Sequence, residues 1–485
     1  MPQWSPSSWL AKTPNYPHQA AYADQAAVDS AVRSLRALPP LVTSWEIERL
    51  KRLLADASRG RAFILQGGDC AERLADCRPD AVTGKLKILL QMSLVLVHAM
   101  GRPVIRVGRI AGQYAKPRTS PTETHQIEGI PRTLPSYYGD LVNREAFDDN
   151  SRRPDPAHLV TGYLHAAVTL NFIRSLVDRG FADVHHPENW ELGFLQKAGL
   201  PPELRQKYAR LTAELTEGLR LAEAMGHSSP QGPSDRTEFF TSHEGLNLLY
   251  ESAQTRRVPR REGFYCLTTH LPWLGDRTRD PDGAHVEFFR GVRNPVGIKL
   301  GPSTTPDQLL RLCEVLNPER EPGKLVLIAR LGAAIVSDRL PALVRATLKE
   351  GWTVEPDAPH PAPALWSCDP MHGNTLLRNG ARRPVRKTRA FTDILSELVD
   401  SCDIHAACGS HLAGLHVELT HEDVTECLGG ASGITEADLD TNYATACDPR
   451  LNYEQALELA FRLGERLAPP ATPPSAPAPP RCRSS

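Results

Sequence analysis

Eight short apolar runs punctuate the chain, each closing on glycine or on polar residues. They are AFILQ from Ala62, PVIRVGR from Pro103, TEFFTS from Thr237, FYCLTTH from Phe264, PVGIKLG from Pro295, LVLIAR from Leu325, PALWSCD from Pro363 and GLHVELT from Gly414. Most are too short for helices and rich in β-branched or aromatic residues, as strands buried on both faces are. Helical spacing fills many of the intervals. Leu159, Tyr163, Ala166, Leu170, Ile173 and Val177 recur along one such segment, PDQLLRLCEVL and TRAFTDILSELVDSC supply two more, and Leu459, Leu463 and Leu467 mark a last helix. Eight strands alternating with helices predict an α/β fold, a (β/α)8 TIM barrel. A doubly wound open sheet is the rival, weakened because no G-x-G-x-x-G follows the first run.

The flanks and interruptions of this pattern set the expected domains. Residues 1–60 form an N-terminal extension with helices, the clearest being SWEIERLKRLLADAS, which Ser44 can cap and whose Ile47, Leu50, Leu53 and Leu54 share a face. The barrel occupies 61–467. Between its second and third strands, Phe181 to Gly232 is too long for one crossover and predicts extra inserted helices, and Gln113 to Pro156 is a long Pro- and Gly-punctuated loop of the kind that carries function. The Pro-rich tail, 468–485, is expected to be disordered.

Composition narrows the class. Hydrophobic residues at 41% and charged residues at 23% of 485 describe a globular protein with a sizeable core, and a formal net charge of -1 argues against a nucleic-acid partner. The amino terminus lacks a basic start and an apolar stretch, and the greasiest segment, Ile88 to Met100, carries Gln91, Ser93 and His98 and reads as a buried helix. The ten cysteines form no C-x-x-C pair and are expected as reduced thiols, which points to the cytoplasm and to no membrane partner.

Chemistry collects where the runs end, the rim that carries function in a barrel. Asp69 and Cys70 follow the first run, just beyond Gly67 and Gly68; Arg109 ends the second, with Lys116 and Arg118 behind it. His243 and Glu244 follow the third, His270 ends the fourth ahead of WLGDRTR, Lys299 ends the fifth and Arg330 the sixth, CDPMHGNT follows the seventh, and Glu418 ends the eighth. Singly, each has an ordinary structural reading as a solvated strand end. Together, Arg109, Arg277, Lys299 and Arg330 at one mouth, with no acidic cluster of similar size to pair with them, fit phosphate and carboxylate substrates. Cys70, His372 and Glu418 supply thiolate, imidazole and carboxylate, a set suited to a divalent transition metal.

At GGDCAE, RIAGQYAKPRT, GDRTR…DGAHVEF, NPVGIKLGP, CDPMHGNT, HVELT…VTECLGG and TACDPRLN, the chain resembles type II 3-deoxy-D-arabino-heptulosonate 7-phosphate (DAHP) synthases, from about Trp4 to Leu467. The resemblance implies a (β/α)8 barrel that condenses phosphoenolpyruvate with erythrose 4-phosphate and water, releasing phosphate, at the first step of the shikimate pathway. It implies a divalent metal on Cys70, His372, Glu418 and Asp448, with Mn2+ or Co2+ ahead of Fe2+ or Zn2+. It places phosphoenolpyruvate against Arg109, Asp276, Arg277, Lys299 and Arg330, with the backbone rather than the carboxylate of Asp276 turned to the anion. Erythrose 4-phosphate falls to Lys116, Pro117, Arg118 and Thr119.

On the same resemblance Cys70, Lys116 and His372 are the catalytic residues, with Lys116 donating a proton to the new hydroxyl, or else His372 or a water doing so. It further implies a dimer or tetramer, feedback by aromatic amino acids through the 181–232 insertion, and a chorismate-mutase partner. Two rivals stay open: a secondary-metabolism or aminoshikimate paralogue that uses an amino analogue of erythrose 4-phosphate, and a non-catalytic regulatory barrel.

Overall fold

Eight parallel strands close on themselves in strict chain order: β1 (Phe63–Gly68), β2 (Val104–Arg109), β3 (Phe240–Glu244), β4 (Leu271–Leu274), β5 (Val296–Leu300), β6 (Leu325–Ala329), β7 (Ala364–Cys368) and β8 (Gly414–Glu418). The architecture comes from a computed structural model that describes residues 4–118, 120–127, 130–178, 238–378 and 386–469, with a few helical positions between 202 and 214. Most of the 181–232 insertion, and the tail beyond residue 469, lie outside the described residues.

Strand residues alternate between the barrel lumen and the surrounding helices. Ile64, Ile105, Val107, Phe240, Val326, Ile328 and Leu365 share one core with Leu50, Leu54 and Ala57. The latter three come from α1 (Ser44–Ala57), which therefore plugs the amino-terminal end of the barrel. Each such aliphatic side chain, fully buried, is worth about 1.5–3 kcal/mol. The intervening strand residues, among them Phe63, Leu65, Val296, Ile298, Leu415 and Val417, join the outer core with the helices. Continued by two, the inward positions end in Arg109, Glu244, Lys299, Arg330, Asp369 and Glu418 at the carboxyl-terminal mouth. With the lumen plugged at one end, polar side chains gather at the other.

The fourth strand corrects the expectation. FYCLTTH does not enter the barrel: Tyr265–Cys266 pairs antiparallel with Thr255–Arg256, and Leu271–Leu274 takes the barrel position. A strand centred on Pro272 carries one fewer donor, so sequence pattern demotes it. His270 consequently precedes the strand, far from the mouth, where its Nδ1 accepts from the Thr241 N–H at 2.9 Å. His243 is also not a rim group. It faces outward, with Nε2 2.8 Å from Glu251 Oε1.

The cap of α1 likewise sits one residue earlier than Ser44. Thr43 Oγ1 accepts from the Glu46 N–H, and the Glu46 carboxylate returns to the Thr43 N–H, a reciprocal capping box. The apolar helix α2 (Pro79–Met100) is long and greasy enough to cross a bilayer by length and composition, yet 67% of its most apolar window is buried inside the protein. It packs against β1, β2 and the closing helix Tyr453–Leu467. The Gln113–Pro156 loop contains a β-hairpin, Thr122–Ile127 with Ile130–Pro135, and the short helix Asp149–Arg152.

Candidate active site

Cys70 leaves β1 through Gly68, whose φ of +146° suits glycine and whose Cβ would lie 2.6 Å from the Arg109 carbonyl oxygen. This close approach to β2 turns the buried thiol over the barrel mouth. There it meets Glu418, the last inward residue of β8, and Asp448, from the loop beyond; one donor atom of each lies within 4.8 Å of the others. The Asp448 N–H donates to Cys70 Sγ at 3.2 Å, and Asp448 Oδ2 stands 3.6 Å from the sulfur. His372, in a single 3-10 turn after β7, brings Nε2 to 3.1 Å from Glu418 Oε1. Its Nδ1 lies 2.7 Å from Asp369 Oδ2, the carboxylate support that fixes the orientation of a metal-binding imidazole. One thiol, one imidazole and two carboxylates make a donor set that fits a divalent transition metal.

The four predicted cations do arrive beside this cluster, in a cavity of about 240 Å³ lined by Arg109, Arg277, Lys299 and Arg330 together with His372 and Asp448. Their surroundings differ from the expectation of unpaired charge. Arg109 donates to Glu418 Oε1 at 2.9 Å, to the Asp69 and Cys70 carbonyls and to His416 Nε2. Lys299 pairs with Asp369, and Arg330 with Asp276 at 3.1 Å. Carboxylates from neighbouring strands thus offset part of the repulsion among the cations. Arg277, by contrast, is exposed and has no protein hydrogen bond or ion pair among the described residues. Asp276 points its carboxylate at Arg330, Arg279 and the Gly301 N–H, so its side chain brackets an arginine.

The KPRT segment is split. Lys116 is buried, its Nζ 3.4 Å from Asp448 Oδ2 and 3.9 Å from Glu418 Oε1, and Pro117 lines the cavity. Arg118 turns to Glu123, and Thr119 lies outside the described residues. Glu72 of GGDCAE accepts from the Ala111, Gly112 and Gln113 N–H groups, pinning the turn that leads to Lys116, where Ala111 is held at φ +62°.

Burial raises the Cys70 thiol well above its ordinary pKa, with Glu418 adding to the effect and the Lys116 ammonium opposing it. For Lys116, burial works against the charge, but Cys70, Asp448 and Glu418 outweigh it and raise its pKa. Lys299 moves the other way: burial, only partly offset by Asp369, lowers it to about 8. Burial also opposes charge on Glu418, yet His372, Arg389, Arg109 and Lys116 hold that carboxyl well below its usual range.

Several site residues carried no sequence expectation. Asp369, inside the CDPMHGNT motif, joins Lys299 to His372. Arg389 is fully buried and donates to Glu418 Oε2 at 2.8 Å and to the Pro449 carbonyl. Lys387 reaches Asp448 Oδ1 at 2.9 Å, and Trp273 completes the cavity wall beside Glu244, which the sequence marks after the third run. Alternation along β7 could have flagged Asp369; Arg389 and Lys387 lie on an excursion after β7 whose direction no periodicity reveals.

The family model of the class-II DAHP synthetases matches residues 4–464. Proteins named phospho-2-dehydro-3-deoxyheptonate aldolase are similar over nearly the whole chain. The one from Neurospora crassa is 45% identical, covering 96% of this chain and 94% of that one. That from Streptomyces coelicolor is 43% identical over 92% and 94%, and one from Mycolicibacterium smegmatis is 41% identical over 89% of each.

Proposed function

Because the chain belongs to the class-II DAHP synthetase family, we propose that the barrel mouth is where it condenses phosphoenolpyruvate with erythrose 4-phosphate and water to give DAHP and phosphate. The protein is a DAHP synthase of the shikimate pathway, a transferase that forms a carbon–carbon bond. Cys70, His372, Glu418 and Asp448 would hold a divalent metal, Mn2+ or Co2+ in this reading, and the donor set described above supports it. When bound there, such an ion supplies Lewis-acid polarisation to an aldehyde oxygen.

Lys299, Arg330 and Arg277 clamp the carboxylate and phosphate of phosphoenolpyruvate. Arg109 contributes from below, though most of its N–H groups hold Asp69, Cys70, His416 and Glu418. Fixed cations in a cavity this small orient the methylene carbon for attack on the aldehyde and stabilise charge with little reorganisation. Water then adds at the cationic C2 and phosphate departs into the same cationic clamp. Lys116 Nζ, beside two of the metal-binding carboxylates, is placed to protonate the new hydroxyl, and Lys116 to Thr119 take the phosphate of erythrose 4-phosphate.

A dimer or tetramer, a chorismate-mutase partner and a cytoplasmic location complete the reading; the nine described cysteines, all free, agree with a reducing compartment. The observation that carries it is the convergence of Cys70, Glu418 and Asp448 within 4.8 Å beside the cationic cavity. Metal-stripped protein, reconstituted with Mn2+ or Co2+, should release phosphate from phosphoenolpyruvate only when erythrose 4-phosphate is present. Failure with every divalent ion tried removes the reading.

A further inference from the structure

Behind the cavity, on the helix Phe391–Ala407, lies Glu397, a carboxylate 1% exposed that touches neither the cavity nor any predicted ligand. Its Oε1 accepts from two successive amides, Leu331 and Gly332, each at 2.8 Å. Its Oε2 accepts from Asn374 Nδ2, also at 2.8 Å. The Asn374 amide is fixed in turn: Oδ1 accepts from the Ala333 N–H at 2.9 Å, while Nδ2 also donates to the Pro370 carbonyl at 2.9 Å. All three partners of Glu397 are donors, so the arrangement demands a carboxylate although burial raises its pKa to about 7.

Two loops meet in this arrangement. One carries Arg330 and the other His372. Arg330 Nη2 donates to the His372 carbonyl at 3.0 Å, and the loops touch backbone to backbone at Gly332, where φ is +95° and a Cβ would stand 2.8 Å from the Gly373 oxygen. A carboxyl group buried at this cost, with both oxygens spent on these two loops, acts on what the loops carry.

We propose that Glu397, through Asn374, is a positioning residue that locks the anion-binding Arg330 and the metal-binding His372 into one unit, so that phosphoenolpyruvate affinity and metal affinity depend on the same distant carboxylate. The inference rests on the roles given to Arg330 and His372 above. Lys116 and Pro117 make no hydrogen bond or ion pair with Glu397, Asn374 or the loop after Arg330 among the described residues, so erythrose 4-phosphate binding is the least affected once the metal site is filled.

Glu397→Gln keeps the shape but turns an NH2 group toward that of Asn374. The KM for phosphoenolpyruvate and the dissociation constant for Co2+, followed by thiolate-to-cobalt absorption, should both rise about tenfold. At saturating Co2+, the KM for erythrose 4-phosphate should stay within about twofold. If Glu397→Gln does not fold, Asn374→Ser, which removes the bridge together with the bonds to Ala333 and Pro370, carries the same expectations.

Unchanged constants, a change in only one of the two, or an equal rise in all three overturns the clamp. Wild-type cobalt absorption and the effect of Arg330→Lys on the phosphoenolpyruvate KM test the underlying roles separately. If those hold while the Glu397 and Asn374 variants are silent, the clamp alone is wrong.

Discussion

The backbone N–H of Asp448 points at the Cys70 sulfur, 3.2 Å away, across 378 residues of chain. An amide aimed at sulfur opposes the burial that otherwise raises the Cys70 thiol well above its ordinary pKa. A second tie runs alongside it: Arg450 donates to Asp69 at 2.7 Å and to Glu426 at 2.8 Å, fastening the segment of Asp448 to that of Cys70. Protein contacts alone thus join the two segments. Cys70→Ser should weaken Co2+ binding by at least about 100-fold and abolish the sulfur-to-cobalt absorption band, leaving the circular dichroism spectrum in place. A band of undiminished intensity in the variant would rule out Cys70 as a ligand.

Lys299 gives the enzyme a pH limit. Its folded-state pKa is lowered from 10.5 to about 8, so the ammonium is present below that value and is lost as pH rises through it. Binding this carboxylate- and phosphate-bearing anion requires the charged form. The KM for phosphoenolpyruvate should be flat below pH 8 and climb by up to about tenfold per pH unit above it. In Lys299→Arg, which does not titrate in this range, the climb should vanish even if the basal KM is poorer. An identical pH profile in the variant would assign the limit to another group.

Asp276 steers Arg330 rather than the substrate. Its carboxylate receives Arg330 Nη1 at 3.1 Å and Arg279 Nε at 2.9 Å. Asp276→Asn keeps the volume but removes the charge, and should raise the phosphoenolpyruvate KM about fivefold to tenfold with a smaller effect on kcat. A lower KM would mean that the carboxylate repels the substrate.

Cys447, half-buried, precedes Asp448, whose N–H donates to Cys70 Sγ, and Cys70 lowers the Cys447 pKa. Peroxide treatment of metal-free protein should inactivate it reversibly, with recovery on thiol reduction, while bound metal or Cys447→Ser should protect. Full activity after treatment of the metal-free protein would refute this.

Much of this architecture is legible in the sequence for a physical reason. Strands buried on both faces are largely apolar, so the runs at β2, β5, β6 and β8 stand out, and the charged inward residue that closes each lies at the mouth. Arg109, Lys299, Arg330 and Glu418 could be read this way. Pro272 hides β4, because a strand centred on proline breaks the rule by which strands are found. Asp448 lies in a loop with no periodicity, and only the resemblance at TACDPR marks it. The pairing of Lys299 with Asp369 and of Glu418 with Arg389 joins residues from different strands and loops, which spacing along one chain cannot express. Thr119 and most of the 181–232 insertion lie outside the described residues, and their roles stay with the resemblance.

Anomalous diffraction from crystals grown with Mn2+ tests the centre most directly. The account predicts one strong manganese peak at the barrel mouth, within bonding distance of Cys70 Sγ, His372 Nε2, Glu418 and Asp448, with the guanidinium of Arg330 and the ammonium of Lys299 facing the space beside it. A peak held by other residues, or none at these four in crystals of active enzyme, would contradict it.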